Sequence, residues 1–348
     1  MNYTTELGPK LTEWAINKIK RDYPDDVALL VGLAHCSPDG SGHGECFDYF
    51  VPATEKGYEL EQEIYIDGVN HDLYPRDWAR CERTANLEDW CTFCLANGEI
   101  LYARSQEDVD RFEALRQQLK ENLANPAFVY PKALERLDEA MNLYRNMMFE
   151  DRLHQVRMAA GYIFNGLLKA VLWLNGTYYS YHLTVETHQL ARCKRQPEHF
   201  AAYYQAMLSA KNTSELKSIA HLMIQTTRKF IAGYKPEEKE EASKNYKWLA
   251  MWYSEMSLTW RRLRHFCEAG CADAAFTDAC TLQEECNVVT EEFGLPDFDL
   301  LSGFDCDALV KLSKQATEVE EQIKAYVIET HGLIPQYAAF EDFLKENP

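Results

Sequence analysis

The chain is short of positive charge. Its 348 residues include 36 Lys and Arg against 55 Asp and Glu, a formal charge of -19. A surface that acidic repels phosphate backbones and anionic membranes, which argues against nucleic acid and membrane surfaces as partners. Solubility accounts for most of such an excess, and a cationic ligand is its other use. Long apolar runs are also missing. The best stretch, Ala159 to Leu174, is interrupted by Asn165 and Lys169. It falls short of the roughly 20 apolar residues a membrane span needs and predicts a buried core helix instead. The opening residues Met1-Asn-Tyr-Thr-Thr-Glu6 have neither a basic region nor an apolar one, so no export signal is expected. There is no internal repeat and no low-complexity tract.

Cysteine is not scarce, but its spacing completes no zinc site. Eleven is an odd count, which with no export signal predicts free thiols in a reducing cytoplasm. Cys91-Thr-Phe-Cys94 has the spacing of half a zinc site and no second pair follows it. Cys267, Cys271, Cys280 and Cys286, beside His265, have irregular intervals that match no zinc ligand pattern. Buried thiols are the expectation for both groups.

Two textures follow one another along the chain. Up to about Arg104, short β-type runs alternate with Gly, Pro and Asp turns; from Glu107 onward helical periodicity dominates. The pattern predicts an α+β chain: a mixed sheet with flanking helices over 1–106, then an all-α bundle over 107–348, with a subdivision near 235. Helices are expected over Pro9–Arg21, Leu87–Asn97, Asp108–Leu123, Pro131–Met148, Arg152–Asn175, from Asn212 to Ala232, Ala242–Ala269, Asp273–Phe293 and Asp305–His331. In the Arg152–Asn175 segment Val156, Ala160, Ile163, Leu167 and Val171 line one face and other faces are apolar too, which places it at the centre of the bundle.

The segment from Val27 to Trp78 carries the chemistry. It reads as an apolar strand (Val27 to Ala34), a polar loop rich in glycine (His35 to Glu45), a strand bearing Asp48, and a hairpin turning at Asp67-Gly68 with Asp72 on its second arm. Ser37, Asp39, Gly40, Ser41, Gly42 and Gly44 can present backbone N–H groups to phosphate, although the loop has no lysine and no Walker spacing. His35, His43 and His71, near Asp48, Asp72 and Cys46, form an alternative set for a transition metal.

This layout resembles the nucleotidyltransferase superfamily typified by the antibiotic nucleotidyltransferases. There a strand ends in Gly-Ser, a loop of a dozen or so residues follows, and paired acids sit on the next strand with a third acid on a later one. Converging carboxylates hold hard cations, which neutralise charge on a transferring phosphoryl group. Gly32 matches the family glycine and Leu33 stands in place of the serine. Asp48 keeps one of the paired acids, while Cys46, or Phe50 in the other register, replaces its mate; Glu45 substitutes only if the strand bulges. Asp72 matches the third acid. Asn97 to Arg104 and Ala159 to Tyr179 are also similar to family segments.

The resemblance implies a nucleotidyltransferase that moves a nucleoside monophosphate from an NTP to a small-molecule acceptor. Its catalytic and Mg2+-binding acids would be Asp48, Asp72 and Glu45, with Gly32, Ser37 and Ser41 against the nucleotide. Trp173, Tyr178, Tyr179, Tyr181 and His182 suit a cationic or sugar-like acceptor, and Glu150 or Asp151 would be the general base. The alternative is a catalytically inactive binding or regulatory protein on the same fold. A third reading, a ribonuclease using Arg192 and His199, is opposed by the intervening Pro197 and by the charge.

Overall fold

A computed structural model describes residues 7–33, 47–89, 91–179, 186–236, 244–331, 334 and 337–346. The chain is α+β and divides into two compact units, Met1–Glu237 and Glu238–Pro348.

The first unit opens with α1 (Leu7–Asp22) and the strands β1 (Val27–Leu33), β2 (Phe47–Pro52), β3 (Gln62–Ile66) and β4 (Val69–Pro75), with a 3₁₀ turn at Glu55–Leu60. Two short helices, α2 (Trp78–Ala85) and α3 (Thr92–Ala96), lead to β5 (Gly98–Ala103). The strands form one mixed sheet in the order β3-β4-β2-β1-β5. β1 runs antiparallel to β2 and β5, β2 parallel to β4, and β3 antiparallel to β4. All seven residues of β1 are buried, as expected of a central strand covered on both faces. Leu30 packs with α1 on one face, while Leu29 and Val31 join the core shared with the later helices. The β3–β4 hairpin turns where expected: Asp67 (φ 50) and Gly68 (φ 80) both take the left-handed conformation a tight two-residue turn requires.

Helices α4 (Gln106–Ala124), α5 (Pro126–Met148), α6 (Leu153–Leu174), α7 (Glu186–Ala191), α8 (Phe200–Ser209) and α9 (Thr213–Ala232) complete this unit. One continuous core joins β1 and β2 to α4, α5, α6 and α9, so sheet and helices share an interior across residue 106. Eleven residues of α6 are buried, in keeping with its expected central place. Asn212 caps α9 by accepting the Glu215 amide at 2.9 Å.

Three expectations need correcting. α5 starts at Pro126, capped by Asn125, so Pro131 lies inside the helix rather than at its start. The helix expected over Leu87–Asn97 is only the five residues of α3, because Leu87 takes a left-handed φ of 59 and breaks the pattern. The last long helix starts at Val310, not Asp305.

The second unit holds α10 (Tyr246–Glu268), α11 (Ala272–Phe293), α12 (Val310–His331) and α13 (Phe340–Glu346). Leu249, Trp260, Leu282, Val289, Leu312 and Ile323 make its core. Among the described residues no helix is long and apolar enough to cross a membrane.

Candidate functional site

Asp48 owes its direction to a defect in β2. Val31 pairs with Tyr49 and Gly32 with Phe47, so Asp48 has no partner of its own on β1. A bulge of this kind breaks the alternation of faces and re-aims a side chain. Asp48 thereby sits beside α3 and β4 instead of joining Phe47 and Phe50, which are buried against α1. Its Oδ2 accepts the Tyr74 hydroxyl at 3.2 Å and the Cys94 thiol at 3.7 Å. Tyr74 and Asp72 lie two residues apart on β4 and so share a face.

These residues wall a cleft of about 570 Å³, lined by Leu33, Asp48, Glu61, Asp72, Tyr74, Arg80, Cys91 and Cys94 among others. The two acids matched by resemblance, Asp48 and Asp72, do meet in one cavity. They are not a tight pair: burial is the main cause that raises each carboxyl above its ordinary range. For Asp48 the Tyr74 and Cys94 bonds and nearby Arg76 pull the other way without prevailing. For Asp72, Glu63 and Glu61 add to burial.

Beneath the cleft lies a residue that sequence reasoning missed. Arg76 follows directly on β4 and is only 1% exposed. Its Nη2 donates to the Thr84 hydroxyl at 2.9 Å and lies 3.4 Å from Asp89. The guanidinium stands 5.4 Å from the Tyr49 ring centroid. Burial alone would lower its pKa; Cys94, Asp89, Tyr74 and Tyr49 around it outweigh that and hold it charged. Its Nη1 is buried without a hydrogen-bond partner. The one visible sign was its place at a strand end just before Asp77, which caps α2 by accepting the Arg80 amide at 2.7 Å.

Asp89 ties the next loop to this charge. It accepts from Arg80 Nε at 2.8 Å and from the Cys91 amide at 2.9 Å. Burial would raise its carboxyl, but these bonds prevail and hold it below the usual range. The Tyr49 hydroxyl donates to the Cys94 carbonyl at 3.1 Å. Cys91 and Cys94 are thus pinned from both sides. The neighbouring Cys94 lowers the pKa of Cys91, while Cys91, burial and Asp48 raise that of Cys94. Burial pushes Cys81 up to about 11.

The other expected residues fare unevenly. Gly32 sits in the β1 ladder opposite Phe47 and Glu99, and its neighbour Leu33 is the residue that reaches the cleft. Phe50 is fully buried, so that register offers no ligand. Ser37, Ser41, Glu45, Cys46, His35 and His43 lie outside the described residues, as do Tyr181 and His182. His71 adjoins Asp72 on the strand and therefore faces the opposite side, which removes it from a shared metal site. Glu150 is a poor general base: bonds from the Arg152 side chain and amide hold its carboxyl at about 2. Neither it nor Asp151 lines the cleft. Arg192 is tied to Thr177 and the Tyr178 carbonyl, while His199 takes a left-handed φ of 56, so the two make no catalytic pair. Among the described residues, Cys267, Cys280 and Cys286 join no group of three convergent ligands.

Among the described residues the cleft acids form no group of three convergent ligands, so a cation here would rest on at most two of them. Asp48 and Asp72 supply hard oxygens, and magnesium is ordinarily held by one or two carboxylates with water and phosphate completing the shell. With three acids and one arginine in its walls, the cleft repels a bare polyphosphate unless a cation accompanies it.

No family model and no curated protein matches this chain. Among solved structures, a nucleotidyltransferase-like protein from Exiguobacterium sibiricum 255-15 is similar at 14% identity over 64% of this chain and 74% of that one, with a TM-score of 0.38. A likeness that distant carries no argument about the site.

Proposed function

We propose that the cleft is the nucleotide site of a nucleotidyltransferase that moves a nucleoside monophosphate from an NTP to a small-molecule acceptor. The observation that supports this reading is the meeting of Asp48 from β2 and Asp72 from β4 in one cavity, with Arg80 in the same wall. Asp48 and Asp72 would hold Mg2+, with Glu45 a further donor, and Gly32, Ser37 and Ser41 would lie against the nucleotide. When bound, the ion would neutralise charge on the transferring phosphoryl group. Tyr74 orients the Asp48 carboxylate, Arg80, anchored to Asp89 through Nε, adds positive charge to the wall, and Leu33 narrows the cleft. A cationic or sugar-like acceptor suits the acidic surroundings.

Calorimetry with ATP, GTP, CTP and UTP tests the reading. At least one should bind when magnesium is present and none when it is chelated, and Asp48→Asn should abolish the magnesium-dependent part. Absence of binding to all four overturns it. A second reading, a non-catalytic binding protein, is favoured by one feature: Oδ2 of Asp48 is already engaged by Tyr74 and Cys94. Tight binding without turnover against a panel of amino and hydroxyl acceptors would support that reading.

A further inference from the structure

The nucleotide reading assigns nothing to Cys91 and Cys94, yet both line the cleft. All nine described cysteines are free, and this pair differs from the others in geometry. The Cys94 amide donates to the Cys91 carbonyl at 3.0 Å, closing a turn. Residues so joined have Cα atoms within about 7 Å, and a disulfide needs roughly 4.4–6.8 Å. The turn is held at both ends, by Asp89 on the Cys91 amide and by Tyr49 on the Cys94 carbonyl, so the two sulfurs stay on one wall. Arg76 and Arg80 place positive charge around them. Cys81 is set apart: it donates to the Arg76 carbonyl at 3.9 Å and does not line the cleft.

We propose that Cys91 and Cys94 are an oxidation site, which small hydroperoxides entering the cleft convert to an intramolecular disulfide. Cys91 is the attacking sulfur. As thiolate it takes the distal oxygen of the hydroperoxide; the O–O bond breaks, and the leaving hydroxide or alkoxide takes up a proton to give water or alcohol. Cys91 is then a sulfenic acid. The Cys94 sulfur attacks the Cys91 sulfur, the S–O bond breaks, and hydroxide leaves with the Cys94 proton as water. The two thiols together lose two protons and two electrons, and the hydroperoxide is reduced. Cys94 is the resolving sulfur because its thiol is the one committed to Asp48. Disulfide formation removes that donor and leaves Asp48 with Tyr74 alone. Any effect of this on nucleotide binding rests on the reading of the cleft given above; the disulfide itself does not.

The test is peptide mapping of the full-length protein after hydrogen peroxide and alkylation, with no nucleotide present. The expected product is a Cys91–Cys94 cross-linked peptide, lighter by two hydrogens, that returns to two alkylated thiols after dithiothreitol. In Cys94→Ser, Cys91 should instead be trapped by dimedone as a sulfenic acid. In Cys91→Ser, Cys94 should lose its oxidation altogether. The inference is overturned if wild-type Cys91 and Cys94 both remain alkylatable at a peroxide dose that oxidises exposed Cys271. It is also overturned if the cross-link joins Cys81 instead. The wild-type arm decides even if a variant fails to fold.

Discussion

In the unit Glu238–Pro348, Asp278 is the buried polar side chain among the described residues, and it reaches out to Arg262 through two bonds of 2.7 and 2.6 Å near the surface. The rest of that core is aliphatic and aromatic apart from the thiols of Cys267 and Cys286. The unit Met1–Glu237 instead buries the guanidinium of Arg76, with Thr84 and Thr92, at one end of its sheet. Burying a charge costs several kcal/mol even when it is paired, so a fold gains nothing from that arrangement as packing alone. The two interiors differ in that cost: among the described residues the helical unit pairs its buried acid with an arginine near the surface, while the cleft end encloses its arginine.

The largest expected effect breaks this contrast directly. Arg76→Ala leaves Asp89 with a weakened partner set and opens a void under the cleft, and should cost about 3–5 kcal/mol in urea unfolding. Arg262→Ala removes the same side chain from a pair whose arginine is half exposed, where water can reach the acid left behind, and should cost only about 1–2 kcal/mol. Equal losses would show that the Arg76 charge is not buried in any energetic sense.

Next is Gly98→Ala. A Cβ at Gly98 would stand 2.6 Å from the Cys94 carbonyl and 2.7 Å from Val31 Cγ1. The strand must shift away from α3, at about 1–3 kcal/mol, and the Tyr49 bond to that carbonyl should weaken with it. A full-strength variant with an unchanged melting temperature would mean that α3 moves freely, and that Cys91 and Cys94 are not held. Smaller still is Tyr74→Phe. It removes one donor from Asp48, at about 1 kcal/mol, and should push the Asp48 carboxyl further up, since that bond is the largest of the influences that pull it down. Carbon-detected NMR titration of the Asp48 carboxyl reads the shift; a downward move would mean that Tyr74 does not act on Asp48 as a donor.

The parts of the fold readable from sequence were those written in local rules. Asp67-Gly68 supplied both left-handed residues its turn needs, Asn212 sat three residues before Glu215, and the apolar faces of α6 followed from spacing. The α+β order followed from where strand texture gives way to helix texture. The resemblance matched Asp48 and Asp72 to acid positions, and what the structure adds is that both line one cleft. The aim of Asp48 was not legible, because a bulge leaves no mark in the alternation until the partner strand is known. Arg76 was illegible for a related reason: its burial depends on Thr84 of α2, Tyr49 of β2 and Asp89 in the loop after α2. The expected helix over Leu87–Asn97 failed because Leu87 adopts a conformation that β-carbon sterics disfavour and that only the Asp89-anchored loop makes worthwhile.

The smallest effect tests whether the unfavourable electrostatics lie where the contrast between units puts them. The Asp48 carboxyl is raised above 3.8 in the folded protein, chiefly by burial. Between its unfolded and folded pKa the native state binds more protons than the unfolded chain, so stability falls as pH rises through that window and the loss persists at neutral pH. Asp48→Asn keeps an oxygen that accepts from Tyr74 and Cys94 and has no charge to desolvate. Its melting temperature should therefore exceed that of the wild type at pH 7, with the gap closing as pH drops below the ordinary carboxylate range. Added magnesium should narrow the gap from the other side, by stabilising only the wild type. A gap that is negative at pH 7 and shrinks in acid would mean that the Arg76 attraction outweighs burial. Asp48 would then be a stabilising partner of Arg76, and not a carboxylate kept short of charge for a cation to supply.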